Sequence, residues 1–376
     1  MGFNRRQFLG GVMISGLAAC AGAPAYRGPS GGAAPDGMRP VPNGAYDAWM
    51  NSFRTRAEGA GYSRGFLNNA FRGTGYLPGV VERDRNQTEF SRALEDYLSI
   101  AASDERITKG RAAFARHRGT LMALENKYGV DAQIIAAIWG LESYYGERRG
   151  DIPVLSATTT LAFDGRRGSM FEKQTMAALR ILQEGHISPD RFTGSWAGAM
   201  GHTQFMPTSF QAFAVDFTGD GRADIWSDDP TDALASTAAY LARNGWQRGQ
   251  RWGSEAVAGG GNLQPQAGGP SFNTTANFRV IKRYNNSDSY ALGVGHLSDR
   301  IMGGGPLRGS FPPDVYGLTK ADRIALQRGL NARGFDAGTP DGVLGGQTRS
   351  AIEAYQRRTG LPVTGTPSVD LLRMLT

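Results

Sequence analysis

Apolar residues recur three or four positions apart in stretch after stretch of this chain, the spacing of a helix with one buried face. Phe90, Leu94, Tyr97 and Leu98 share one face of a helix predicted over 90–102, and a longer helix is expected over 107–128, ended by Gly129. Ile134, Ile135, Ile138 and Leu141 predict a helix from 132 to about 145, with Asp131 set to cap its free N–H groups. Residues 170–184, 233–243 and 290–301 read the same way, and Pro207 suits the first turn of a further helix. Residues 46–71 alternate helical stretches with glycine breaks. Gly and Pro dominate 245–278 and exclude a helix there, while Phe278, Val280 and Ile281 suggest a short strand. Near the end, 318–333 and 348–359 are amphipathic, and a third short helix follows Thr366-Pro367. The fold class is mainly α, with a small β and loop-rich part.

The chain has 376 residues and 53 glycines, enough for two domains with many turns. A net charge of +7 suits polyanions, among them a cell-wall polymer bearing carboxylates. The arginines are scattered, without the basic stripe that nucleic-acid binding requires, so nucleic acid is excluded as the expected partner. At the start, Arg5-Arg6-Gln7-Phe8-Leu9 and a short apolar stretch read as a twin-arginine-like export signal over 1–19. Leu17-Ala18-Ala19-Cys20 reads as a lipobox, and Cys20, the one cysteine, as a lipidation site. A Gly, Pro and Ala-rich tether covers 20–44. The expected divisions are then 45–305, a linker over 306–316, and a small module over 317–376.

The chemistry concentrates around Trp139-Gly140-Leu141-Glu142-Ser143-Tyr144-Tyr145-Gly146. Glu142 lies four residues after Ile138, at the edge of the apolar stripe, so its carboxyl is aimed inward. A buried carboxyl either finds a partner or keeps its proton, because desolvation disfavours the charged form. It is therefore a candidate general acid, the alternative being a structural glutamate paired with an arginine. Glu147 leaves that face and sits beside Arg148 and Arg149, which predicts a solvated ion pair. A second stretch, Gly194-Ser195-Trp196-Ala197-Gly198-Ala199-Met200-Gly201-His202-Thr203-Gln204-Phe205-Met206-Pro207, has small residues that let backbone approach a ligand, with Ser195 and Gln204 as hydrogen-bonding groups. A third offers oxygen ligands at alternate positions, Asp216, Thr218, Asp220 and Arg222, in the manner of a calcium loop. Position twelve is Ser227 where a bidentate Glu belongs. Asp232 either completes a looser metal site or caps the following helix, and a metal-free turn is the other reading.

Together with Arg283-Tyr284-Asn285-Asn286-Ser287-Asp288-Ser289-Tyr290, these motifs resemble, over roughly residues 46–304, the membrane-bound lytic transglycosylase B type of murein-cleaving enzyme. Leu326-Gln327, Gly334-Phe335, Asp341-Gly342, Gly345, Thr348 and Tyr355-Gln356 look like a three-helix peptidoglycan-binding module. The resemblance implies a lysozyme-like helical fold with Glu142 as the single catalytic acid. It implies substrate contacts from Ser195, Gln204, Tyr284, Asn285, Tyr290 and Tyr97, with structural calcium, if any, as the sole cofactor. The expected partner is the glycan strand of peptidoglycan, and the expected product a 1,6-anhydro-muramyl end. A hydrolytic muramidase on the same fold, or a non-catalytic wall-binding lipoprotein, are the alternatives. The expected location is the periplasm, on a monomer held at the outer membrane through Cys20.

Overall fold

The computed structural model describes residues 37–86, 93–257 and 260–376. The export signal, Cys20 and Phe90 lie outside the described residues. Among the described residues, sixteen α-helices and four short strands follow in chain order. The first part holds α1 (Gly44–Gly59), α2 (Arg64–Ala70), α3 (Pro78–Arg85), α4 (Leu94–Ala101), α5 (Asp104–Arg116), α6 (Arg118–Tyr128) and α7 (Ala132–Ser143). Then come β1 (Ile152–Pro153), α8 (Val154–Asp164), α9 (Gly168–Gln183), β2 (Thr193–Gly194), α10 (Pro207–Phe213) and α11 (Thr231–Arg243). A hairpin of β3 (Gly253–Glu255) and β4 (Phe272–Thr274) precedes α12 (Ala276–Tyr284) and α13 (Asp288–Ile301). The last three helices are α14 (Lys320–Ala332), α15 (Gly346–Thr359) and α16 (Val369–Leu375).

The central element is α7. Ala132 and every residue from Ile134 to Ser143 are buried, so the helix is enclosed on all sides, by α5, α6, α11 and α13. Its N-terminus is not capped as the sequence predicts: Asp131 makes no capping bond, and Glu125 Oε2 accepts from the Ala132 N–H at 2.8 Å instead. A second enclosed helix, α8, has a row of buried hydroxyls. Thr159 Oγ1 meets the Tyr46 hydroxyl at 2.7 Å, Thr160 Oγ1 accepts from Leu77 N at 3.1 Å, and Ser156 Oγ accepts from Gly75 N at 3.3 Å. These bonds satisfy polar groups that burial would otherwise leave unpaired, and tie the N-terminal helices to the core.

Several expectations need correcting. Residues 278–281 are not a strand but the middle of α12, whose N-cap Thr275 accepts from Asn277 N and whose Phe278, Val280, Ile281 and Tyr284 face the core. The helix expected over 107–128 is two, broken at His117. Residues 37–44 are no tether: Met38 is buried, Gly79 N donates to Gly37 O at 2.9 Å, and Val41 N donates to Tyr76 O at 3.0 Å.

Two separate cores exist. The larger runs from Met38 to Ile301; the smaller, built from Leu318, Leu326, Leu330, Phe335, Ile352, Tyr355, Leu371 and Leu375, belongs to α14–α16. Thr319 and Asp322 form a reciprocal cap that starts α14.

Candidate active site

Glu142 occupies the last turn of α7, with 5% of its surface exposed. Oε1 accepts the Tyr290 hydroxyl at 2.7 Å, whereas the buried Oε2 meets no partner among the described residues. Among the described residues no arginine pairs with it, which argues against the structural ion-pair reading. Burial pushes the carboxyl up from 4.5 to about 8, and the Tyr290 hydrogen bond offsets only part of that rise. The group therefore holds a proton at neutral pH. Among the described residues no charged group adds to these two effects on its acidity.

Tyr290 lies in the first turn of α13, started by Ser287 Oγ, and is fully buried. Its ring stacks on Tyr284 at 6.5 Å, with 8° between planes. Tyr284, equally buried, donates to Thr203 O at 2.7 Å, so this pair joins the glutamate to the glycine-rich stretch. Burial pushes both phenols well above their ordinary range, and both stay neutral donors. Neither tyrosine exposes surface, so both act from behind Glu142; Asn285, Ser195 and Tyr97 are partly exposed. Tyr97, on α4, packs against α13, where a Cβ at Gly293 would lie 2.9 Å from its ring.

The glycine-rich stretch folds back on itself. Ser195 Oγ accepts from Ala199 N at 3.0 Å, and Ser195 N donates to Ala199 O at 2.7 Å. Gly201 has φ +69° and lies so close to Ile225 O that a Cβ would sit 2.3 Å from it, which glycine alone permits. Gln204 also has positive φ, and its Nε2 donates to Arg149 O at 3.0 Å and Gly201 O at 2.9 Å. Gln204 thus braces the loop that follows α7.

His202 escapes a residue-by-residue reading of the sequence, although it stands within the glycine-rich motif. Its Nδ1 accepts from Trp139 Nε1 at 3.1 Å and its Nε2 donates to Ser227 O at 2.7 Å. Burial lowers its pKa to about 4, so the imidazole is neutral and works as a two-sided clamp between α7 and the loops.

The backbone after Glu142 is equally constrained. Tyr144, Tyr145 and Gly146 have φ of +55°, +60° and +90°, a left-handed run that for the tyrosines costs about 1–3 kcal/mol each. Ser143 Oγ donates to His202 O at 2.5 Å and accepts from Gly146 N at 2.9 Å, Tyr145 donates to Arg106 O at 3.1 Å, and Arg106, Lys109 and Arg148 surround the Tyr144 ring. This stops α7 directly beyond the glutamate. Glu147 leaves the site and pairs at the surface with Lys109 at 2.6 Å, not with its neighbouring arginines. Arg149 spans to the Trp226 and Ser227 carbonyls and to Asp228.

About the third motif, Asp216, Asp220 and Asp232 bring carboxylate oxygens within 4.8 Å of one another. Asp232 does not cap α11, which starts after Pro230; its oxygens turn back to accept from Phe217, Thr218 and Asp224 N–H groups. Asp216 likewise accepts from Gly219 and Gly221. Asp232 Oδ1 is taken up by two N–H groups and Asp216 Oδ1 by three donors, while Asp216 Oδ2, Asp220 Oδ1 and Asp232 Oδ2 each accept a single hydrogen bond and keep a lone pair that suits a hard dication.

Residues 45–262 and 259–299 match the transglycosylase SLT domain family, and residues 319–375 match a peptidoglycan binding domain. Membrane-bound lytic murein transglycosylase B of Escherichia coli (strain K12) is 30% identical over 241 residues, a match spanning 54% of this chain and 66% of that protein. Among solved structures, SltB3 from Pseudomonas aeruginosa in complex with NAG-anhNAM-pentapeptide is 40% identical, with a TM-score of 0.68 over 88% of this chain and 99% of that one. The Escherichia coli lytic transglycosylase Slt35 in complex with calcium is 26% identical, with a TM-score of 0.60 over 69% of this chain and 93% of that one. With the buried acid at the end of α7, the tyrosine pair behind it and the matched residues spanning most of the described chain, this protein belongs to the transglycosylase SLT family.

Proposed function

We infer that this chain is a lytic transglycosylase that cleaves the β-1,4 bond between N-acetylmuramic acid and N-acetylglucosamine in peptidoglycan without adding water. The observation that carries the reading is a lone, protonated carboxyl. Glu142 Oε2, the oxygen without a protein partner, donates its proton to the glycosidic oxygen as the C1–O bond breaks. The acetamido oxygen of the muramyl sugar closes on C1 in its place. Glu142, now a carboxylate with Tyr290 still bonded to Oε1, takes the proton from the sugar's own C6 hydroxyl, O6 attacks C1 as the bond from C1 to the acetamido oxygen breaks, and the anhydro ring forms with the N-acetyl group restored. One carboxyl thus serves twice. Hydrolysing glycosidases add a second carboxylate some 5–9 Å away, and among the described residues no carboxylate contributes to the acidity of Glu142. Ser195, Gln204, Asn285 and Tyr97 are the proposed substrate-side residues, with Tyr284 and Tyr290 holding the acid.

Mass spectrometry of fragments released from purified peptidoglycan tests this. Products lighter by one water than those of a muramidase, absent with Glu142→Gln, are expected. Reducing-end products would make the protein a hydrolase, and binding without release a wall-binding protein.

The same reading divides the chain into a catalytic unit over 45–305, a linker over 306–316 and a wall-binding module over 317–376. It places the protein, as a monomer, in the periplasm at the outer membrane through lipid on Cys20; a Cys20→Ala protein recovered in the soluble periplasmic fraction is the expected outcome. Calcium, held by Asp216, Thr218, Asp220, the Arg222 carbonyl and Asp232, would pin the loop before α11. A rise in melting temperature with calcium, reversed by chelation and lost in Asp216→Ala, is expected.

A further inference from the structure

We propose that Arg323 latches the C-terminal module onto α4, making the module a fixed part of the catalytic unit and Arg323 a positioning residue for the tyrosines around Glu142. Arg323 lies in the first turn of α14, yet its side chain is 3% exposed and its nearest carboxylates, Glu95 and Asp96, belong to the other unit. Nη2 donates to Glu95 Oε2 at 2.6 Å and to Asp96 Oδ1 at 2.9 Å; Nη1 reaches Asp314 Oδ2 at 3.2 Å; Nε donates to Gly342 O at 2.7 Å. One guanidinium therefore joins catalytic unit, linker and module. Lys320, one turn earlier, donates to Ser99 Oγ at 2.7 Å, so both cations grip the same short helix.

The geometry is unlike that of a unit swinging on a free tether. Exposed single ion pairs hold little, because side-chain entropy and water offset the attraction. Here the fork is buried and its hydrogens are shared among three carboxylates and the carbonyls of Gly342 and Leu318, the arrangement that fixes a geometry. The linker has no slack either. Glu255 accepts from Arg308 N and Gly309 N at 2.6–3.0 Å, and Leu307 and Phe311 pack against the larger core.

From the latch a short physical line leads to the acid. Tyr97 follows Asp96, and its ring lies against Gly293 of α13. Three residues earlier, on the same face, Tyr290 donates to Glu142. The docked module also closes a groove of about 910 Å3, with Arg106, Tyr144 and Arg148 on one wall and Lys320, Ile324 and Asp341 on the other. Tyr144 and Arg148 in that first wall belong to the segment fixed directly after Glu142.

The test uses the full chain, parent against Arg323→Ala, Arg323→Lys, the double variant Glu95→Gln/Asp96→Asn, and all three changes combined. Three readouts are taken: small-angle scattering, the rate of tryptic cleavage at Arg308, and turnover of a soluble, peptide-free oligomer of alternating N-acetylglucosamine and N-acetylmuramic acid. The kinetic arm rests on the transglycosylase reading; the scattering and cleavage arms do not. Expected in Arg323→Ala are a larger radius of gyration, faster cleavage, and kcat lower by about tenfold with KM little changed. Arg323→Lys recovers part of each, because a point charge cannot serve the carboxylates as a fork does. The acid-side double variant reproduces the effect, and the combined variant is no worse than either alone. Should Arg323→Ala not fold, the double variant on α4 carries the same comparison. Unchanged scattering and cleavage would overturn the latch, and an opened chain with unchanged kcat would overturn the positioning role. A parent that turns nothing over would sink the transglycosylase reading while the first two arms still judge the latch.

Discussion

Glu142 and Arg323 are both ionisable, both almost fully buried, and treated in opposite ways. Arg323 is given more countercharge than it carries: Glu95, Asp96 and Asp314 surround it. Glu142 has none among the described residues, only a neutral phenol on one oxygen. The physics of desolvation is the same at both places. With compensation the buried charge becomes a rivet between two bodies. Without it the group avoids charge by keeping its proton, and so gains the proton that bond cleavage needs.

The largest effect separating these roles is catalytic. Glu142→Gln, which keeps shape and buried volume, should lower turnover by roughly a thousandfold or more, measured as release of soluble fragments. The stability consequences should then run in opposite directions. Arg323→Ala strands three acids at a partly buried junction and should destabilise the fold by about 3–5 kcal/mol in denaturant titration. Glu142→Gln should stabilise it at high pH. Folded Glu142 holds its proton to about pH 8, whereas an unfolded glutamate releases it near 4.5, so folding takes up a proton between those values. Stability contributed by this group therefore falls as pH rises through that window, and Gln removes the loss, worth roughly 3–5 kcal/mol at pH 9. Smaller again is Tyr290→Phe, which deletes the one bond that lowers the acid's pKa. The alkaline limb of the pH–rate profile should move upward, with turnover reduced by about tenfold. An unmoved limb would show that Tyr290 does not set the acidity of Glu142. Last comes Glu147→Ala, which breaks the exposed pair with Lys109 and should alter stability by no more than ~0.5 kcal/mol.

How much of this was legible in the sequence depended on sequence distance. The helix carrying Glu142 was readable because its apolar spacing and its flanking turns are local signals, and the resemblance named the tyrosine that meets the glutamate. The Arg323 junction was not: its partners lie 227 and 228 positions away, and no periodicity reports that separation. Helix α8 was missed because Thr158, Thr159 and Thr160 have weak helix propensity and because a helix buried on every side shows no stripe. Helix α12 was misread because Val280 and Ile281 favour strands in isolation, and packing of Phe278 and Tyr284 overrode that preference. At Asp131 the residue type was right for a cap, yet Glu125 reached the free N–H first. His202 had only its place beside Gly201 to mark it; that it clamps α7 depends on contacts with Trp139 and Ser227, which the fold supplies.

The hydroxyl row of α8 has a consequence for the order in which the chain becomes native. Tyr46 finds its partner 113 positions further on, and the amides of Gly75 and Leu77 wait for side chains 81 and 83 positions away. Loops of that length close late, since their entropy must be overcome before the bonds that reward closure exist. The segment from α1 to α3 is thus held in its final place only after residue 160 has followed it, and amide exchange in α1 should report the docking of α8 rather than the strength of α1 itself.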